Sequence, residues 1–295
     1  MQTIAITITP QEAGHKVRSV LKHKLGLSSH AIGGLTHTAD GILVNGSRPL
    51  YNITLQVGDV LQVQVGDRRP PSETILPCDC PLDVVYEDDY LIVVDKPAGM
   101  VSLASATRPE TPSVPGALAY RYGTQVPFHI VNRLDKGTTG LMVAAKNGYT
   151  HNLLRQLLHS QEFHRGYRGI CLGCPEPESG VIDLPIGRAE GSIVAREVRP
   201  DGAPSVSHYR VLKSCGGLSL LELIPVTGRT HQLRVHCAAI GHPLAGDWLY
   251  GIENPELIPR PALHSAELWL THPVTGEKIH LLSPLPEDMR RLVEP

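Results

Sequence analysis

One stretch constrains this chain more than any other, Phe128-His-Ile-Val-Asn-Arg-Leu-Asp-Lys-Gly-Thr-Thr-Gly-Leu-Met-Val-Ala-Ala-Lys-Asn147. An apolar approach (Ile130, Val131) and an apolar exit (Leu141 to Ala145) flank a polar centre, which reads as strand, loop, strand. Gly137 and Gly140 offer the positive backbone angles that a tight polar loop needs. The loop then gathers Arg133, Asp135, Lys136 and a pair of threonines at one spot. A carboxylate fixed between buried strands suits a nucleophile or a base, because the scaffold holds its geometry. The same stretch also fits a structural turn in which Asp135 only pairs with Arg133.

Upstream, Ile4, Ile6 and Ile8 alternate with polar or small residues as a half-buried strand does. A helix is expected over 12–25, with Lys16, Arg18, Lys22 and Lys24 on its polar face, and Gly33-Gly34 is expected to break the chain. Ile42-Leu-Val-Asn-Gly46 carries an Asn-Gly turn signal; a segment from Ile53 to Val57 and an alternating run from Val60 to Val65 follow. Residues 1–66 thus read as a small α+β domain, 67–81 as a turn-rich linker, and 82–295 as a second domain.

That second part opens with short strands around an acidic turn, Val84 to Asp95, then Lys96-Pro-Ala-Gly99. Ser102 to Pro115 reads as a mobile surface loop and 148–162 as an amphipathic helix. Strand alternation puts Arg165 and Tyr167 on one face of Phe163 to Gly173. Strands are expected over Ser207 to Lys213 and Leu218 to Ile224. A glycine turn at Thr227-Gly228 then opens a helix with Leu233, Cys237 and Ile240 inward, and Arg229, His231 and Arg234 near a start that suits an anion. Sheet is expected around Leu263 and Ile279 to Ser283, and a short helix over Glu287 to Leu292.

Composition excludes several function classes. A chain of 295 residues, 41% hydrophobic and 19% charged, can bury a full core. The net charge of −2 divides into +3 over residues 1–69 and −5 beyond, the balance expected of a mildly basic accessory module for a polyanion. Cys171-Leu-Gly-Cys174 has a metal-like spacing, but no second pair of that form follows, so the cysteines are expected to be buried or unreactive thiols. His231 and His236 stand five apart, wrong for ligands on one helical face. The start lacks a basic region followed by an apolar core, and no apolar run approaches the ~18 residues of a membrane span. A cytoplasmic protein with no membrane contact is expected. No phosphate-cradling glycine loop or dinucleotide fingerprint appears, so no nucleotide or other cofactor is expected. A carboxylate nucleophile near Arg and Tyr suits attack on a sugar or an electron-poor ring.

Residues 14–65, with Gly41-Ile-Leu-Val-Asn-Gly46 and a late Val57-Gly-Asp-Val60, resemble the small S-four-like RNA-binding domain first known from a ribosomal small-subunit protein. The rest resembles the RluA-type pseudouridine synthases through Tyr86 to Gly99, Asn132 to Leu141, Arg165-Gly-Tyr167, Thr227 to His236, Gly241-His-Pro, Gly246-Asp, Leu263 to Leu268 and Pro284 to Met289. That resemblance implies an α+β fold with a mixed, mostly antiparallel sheet, and isomerisation of uridine in RNA to pseudouridine without a cofactor. It places Asp135 on the family's catalytic aspartate, Tyr167 on the tyrosine that packs the base and helps remove the carbon 5 proton, and Arg234, or else Arg229, on the arginine that pairs with the aspartate. Arg133, Arg165, Arg229 and Leu233 are the expected substrate-binding residues, Arg133 filling or bracing the gap in the RNA stack. Asn132 stands where many members have His, Thr139 where Ser is usual and Arg165 where Lys is usual, and Val101-Ser-Leu-Ala-Ser replaces a frequent His-Pro pair. The expected partner is ribosomal RNA, with transfer RNA the alternative, and the expected state is a monomer. Two other readings are a catalytically silent RNA-binding protein and a glycosidase, which would need a second acid such as Asp95 or Glu87.

Overall fold

The computed structural model describes residues 2–50, 53–67, 75–158 and 160–294. It begins with β1 (Gln2–Thr7), α1 (Val17–His23), α2 (Ser29–Thr36), β2 (Ile42–Val44) and β3 (Val60–Val65), the strands forming an antiparallel sheet in the order β1-β3-β2. Leu21, Ile32, Leu55, Leu61 and Val63 are buried in a core of their own beneath it. The helix expected over 12–25 is shorter, because residues 10–14 turn instead. Gly33-Gly34 does not break the chain. Both lie inside α2, which Ser28 starts by accepting the Ala31 N–H, and Ile32 and Leu35 on either side drive it into the core. Residues 68–74 of the expected linker lie outside the described residues.

The chain continues through β4 (Asp83–Glu87), β5 (Leu91–Lys96), α3 (Val114–Tyr122), β6 (His129–Ile130), β7 (Thr139–Ala145), α4 (Gly148–Leu157), β8 (Phe163–Leu172), β9 (Ser179–Asp183), β10 (Ile186–Arg188) and β11 (Arg196–Val198). It ends with β12 (Val206–Cys215), β13 (Leu218–Pro225), α5 (Gln232–Ala239), β14 (Leu263–Thr271), β15 (Lys278–Leu282) and α6 (Glu287–Val293). The 10-stranded sheet runs β4-β5-β7-β14-β8-β13-β12-β9, with β15 on β14 and β6 on β7, while β10 and β11 make a separate hairpin. Every pairing in the large sheet is antiparallel except β7 with β14.

β7 is buried at all 7 positions, as a central strand covered on both faces must be. Alternation then sorts its neighbours. Ile92, Val94, Met142 and Ala144 share a cluster with Leu118 of α3 and Leu233 of α5; Leu91, Val93, Leu141 and Val143 share another with Leu154 of α4. A fully buried leucine such as Leu118 contributes about 2 kcal/mol over an exposed one.

The loop expected from Ser102 to Pro115 is corrected at both ends. Val114 and Pro115 already belong to α3, which Ser113 caps through the Gly116 N–H, and Ser102 is buried against the loop that carries Asp135. The cysteine expectation is corrected at Cys78 and Cys80. The Cys80 N–H bonds back to the Cys78 carbonyl, which brings their Cα atoms to 5.4 Å, and the sulfurs are paired. Among the described residues, no helix is long and apolar enough to cross a membrane.

Candidate active site

The polar loop between β6 and β7 is fixed mainly through its backbone. The Ser102 hydroxyl accepts the Leu134 N–H at 2.9 Å and donates to the Leu134 carbonyl at 2.6 Å. The Lys136 carbonyl accepts from Gly99 N–H at 2.9 Å, and the Gly137 carbonyl from Arg260 Nη1 at 3.1 Å. Lys96 is fully buried, and its ammonium donates to the carbonyls of Pro97 and Met100 at 2.9 Å, with that of Lys136 at 3.4 Å. Burial, aided by the nearby Arg260 charge, brings the Lys96 pKa down to about 8 against the opposing pull of Asp135 and Asp95. Arg260, held bidentately by Asp288, and Lys96 thus pin the loop from below.

The glycines serve the loop differently from expectation. Gly140 has φ 107°, and a side chain there would run into the Ser265 backbone of β14. Gly137 is not in the positive region; a Cβ there would lie 3.1 Å from Pro261 Cδ, a tight contact that the proline ring would have to ease.

Asp135 rises from this loop toward the start of α5. Arg234, only 4% exposed, lies 3.5 Å from Asp135 Oδ2 through Nη1. Its other atoms are committed to Asp247, Nε at 2.8 Å and Nη2 at 2.7 Å. This pairing pushes the Arg234 pKa up although burial opposes it. Arg229 instead donates through Nε to the Pro204 carbonyl, so Arg234 is the arginine that meets Asp135. His231 Nε2 stands 3.8 Å from Asp135 Oδ1, and its Nδ1 is 2.7 Å from the Tyr250 hydroxyl. That hydroxyl also accepts the Arg196 N–H, so it ties the His231 ring to the β11 backbone. His231 adopts φ 58°, uncommon for a residue with a side chain, and begins α5 in that conformation. Burial lowers its pKa, with Asp135 pulling the other way.

The turn before α5 is stapled by Gln232, whose Oε1 accepts from Thr227 Oγ1 and the Arg229 N–H and whose Nε2 donates to the Val206 carbonyl. Tyr167 is buried on β8, and that burial raises its pKa, with Arg165 and Ser265 opposing. Arg133, Asp135, Arg165, Tyr167, Arg229, Leu233 and Arg234 all line one cleft of ≈ 300 Å³. Arg133 is exposed at its rim, and Leu233 and Tyr167 are the apolar walls. Such a cleft offers an oriented carboxylate, a flat apolar wall and cations for a polyanion. His236 lies outside it, buried between Ser207 Oγ and the Leu184 carbonyl.

Sequence reasoning gave no role to Asp247, Tyr250, Lys96, Arg260 or Ser102. Gly246-Asp247 is only a short match in the sequence, and nothing in spacing joins it to Arg234. His264, bonded at Nδ1 to the Thr139 hydroxyl at 2.8 Å, is likewise a tertiary partner without a local signal.

A family model described as RNA pseudouridylate synthase matches residues 90–239, from β5 to the end of α5. The chain is 35% identical over 273 residues to the RNA pseudouridine synthase YjbO of Bacillus subtilis, covering 92% of this chain and 96% of that one. It is 36% identical over 267 residues to ribosomal large subunit pseudouridine synthase D of Xanthomonas campestris, covering 85% and 80%. Human RNA pseudouridylate synthase domain containing 1, a solved structure, superposes with a TM-score of 0.59 at 25% identity over 76% of this chain and 89% of its own.

Proposed function

This chain belongs to the RNA pseudouridylate synthase family and is an RNA pseudouridine synthase, and from that premise we propose that Asp135 is the nucleophile that isomerises uridines, ribosomal ones before those of transfer RNA. In this reading the Asp135 carboxylate forms an adduct with the base or the ribose of a uridine turned out of its stack. The bond from ribose carbon 1 to N1 breaks, the uracil rotates, carbon 5 bonds to the ribose, and the bond to the Asp135 carboxylate breaks to free the enzyme. The carbon 5 proton leaves and N1 takes one up, so the product is an isomer and no cofactor is consumed. Tyr167 supplies the surface against the base, Arg234 orients Asp135, and Arg133, Arg165 and Arg229 meet phosphates.

The observation that carries this reading is the 3.5 Å approach of Arg234 to a carboxylate that no other arginine or lysine pairs with among the described residues. The ribosomal preference is supported by the Xanthomonas relative, a ribosomal large subunit pseudouridine synthase by name. We also infer that residues 1–66 act as an S-four-like RNA-binding domain in front of a catalytic domain at 82–295, supported by their separate sheet and core.

The test is release of tritium to water from ribosomal and transfer RNA transcripts labelled at uracil carbon 5. Release by the wild type and none by Asp135→Asn is the expected result. No release from any transcript, naked or assembled with ribosomal protein, would leave RNA binding without isomerisation as the better account.

A further inference from the structure

Asp135 separates two hollows. The cleft of ≈ 300 Å³ holds Tyr167 and Leu233; a wider one of ≈ 690 Å³ lies beyond and shares Arg133, Leu134, Asp135, Thr230, His231 and Arg234 with it. The wider cleft continues over Leu103, Val194 and Trp248. These apolar side chains are 44%, 49% and 57% exposed, and they face water in one place. Arg133 and Lys136 are exposed beside them, and neither is in an ion pair among the described residues.

The backbone that carries Trp248 is held firmly. Trp248 sits at the apex of a turn in which Asp247 Oδ1 accepts the N–H groups of Leu249 and Tyr250 at 3.1 and 3.2 Å. Gly246 before it has φ 69°, and a side chain there would meet the carbonyls of Ile258 and Arg260. The carboxylate that fixes this turn is therefore the one that holds Arg234. The chain's other tryptophan differs: Trp269 Nε1 donates to Glu267, and its ring lies 4.2 Å from that of His280.

We propose that the wider cleft is a second base-binding site, where a nucleotide flanking the target uridine stacks its base on Trp248 while Arg133 and Lys136 hold its phosphates. This rests on the reading of Asp135 as the isomerising nucleophile. A uridine drawn out of its stack leaves its neighbour without a stacking partner, and an aromatic face in the cleft that the nucleophile also lines replaces it. Every nucleobase has a π-face, so the platform strengthens binding with little demand on which base flanks the target.

Two measurements test the proposal. With Trp269→Phe, Trp248 is the single tryptophan, and its emission should be quenched as ribosomal RNA transcript is titrated in, whereas Trp248→Phe, keeping only Trp269, should show no quenching. In the tritium assay Trp248→Ala should raise KM on the order of tenfold with kcat kept within about twofold, and Trp248→Phe should recover most of the loss. Unquenched Trp248 emission at RNA concentrations that saturate filter retention overturns the platform. So does an unchanged KM in Trp248→Ala, or a loss confined to kcat that Phe does not rescue. If the wild type releases no tritium, the isomerase reading fails by itself, and the fluorescence titration still decides whether RNA covers Trp248.

Discussion

The two ends of the Arg234 guanidinium meet the same kind of group in opposite circumstances. At the inner end, the Asp247 side chain is 0% exposed and binds Nη2 at 2.7 Å. Its Oδ1 also accepts two backbone N–H groups, so its lone pairs are used up. At the outer end the Asp135 side chain is 28% exposed and meets Nη1 at 3.5 Å. One carboxylate is a fastening and the other is aimed but unfilled. A saturated buried pair fixes geometry and does little else, whereas a loosely bonded carboxylate at a cleft still has electron pairs for a substrate.

If that contrast holds, substitutions at the two ends should separate activity from stability. Asp135→Asn should lower tritium release by at least ~10³-fold while urea unfolding is little changed, as expected if the lost group is a nucleophile and not a fastening. Asp247→Ala should cost about 3–5 kcal/mol in the same unfolding experiment, since it leaves a buried guanidinium without its partner. Equal instability in both variants would erase the distinction. Tyr250→Phe probes the support of the outer end; losing the hydroxyl between His231 and the Arg196 N–H should lower kcat by roughly tenfold, the size of one hydrogen bond, with smaller change in KM.

The mildest effect is in acid. Burial places His231, His236 and His264 below the usual 6.5, so their folded rings refuse a proton that the unfolded chain accepts. Stability from these groups is full above pH 6.5 and declines as pH falls below it toward their lowered folded values. Asp135→Asn removes the anion that opposes this shift at His231, so urea midpoints of that variant should fall further in acid than those of the wild type.

What could be read from sequence was what neighbouring residues decide. The polar loop between apolar runs, the alternation of β8 and the glycine turn into α5 are all local patterns, and they carried the candidate residues into one cleft. Helix α3 went unread because Pro115 and Gly116 suggest a loop, although Ser113 and an early proline also mark a helix start. The fastenings were illegible for a different reason. Lys96 and Arg260 act on backbone carbonyls, which every residue has, and Asp247 reaches Arg234 only after the chain has turned through the end of α5. Such partners depend on where segments meet and not on how they are spaced.

The position of β14 has a consequence for how the protein is made. The strand lies between β7 and β8, so the β4-β5-β7 half of the sheet and the β8-β13-β12-β9 half are joined through a segment that follows all of their strands in sequence. Residues from Arg260 to Ser265 also supply the Gly137 clamp, the Thr139 partner and the wall that admits only glycine at position 140. A ribosome delivers this segment late, after Asp135, Tyr167 and Arg234 have already emerged. Assembly of the cleft therefore waits for residues 260–271, and a polypeptide stalled short of β14 carries every expected catalytic side chain with no frame to hold them in register.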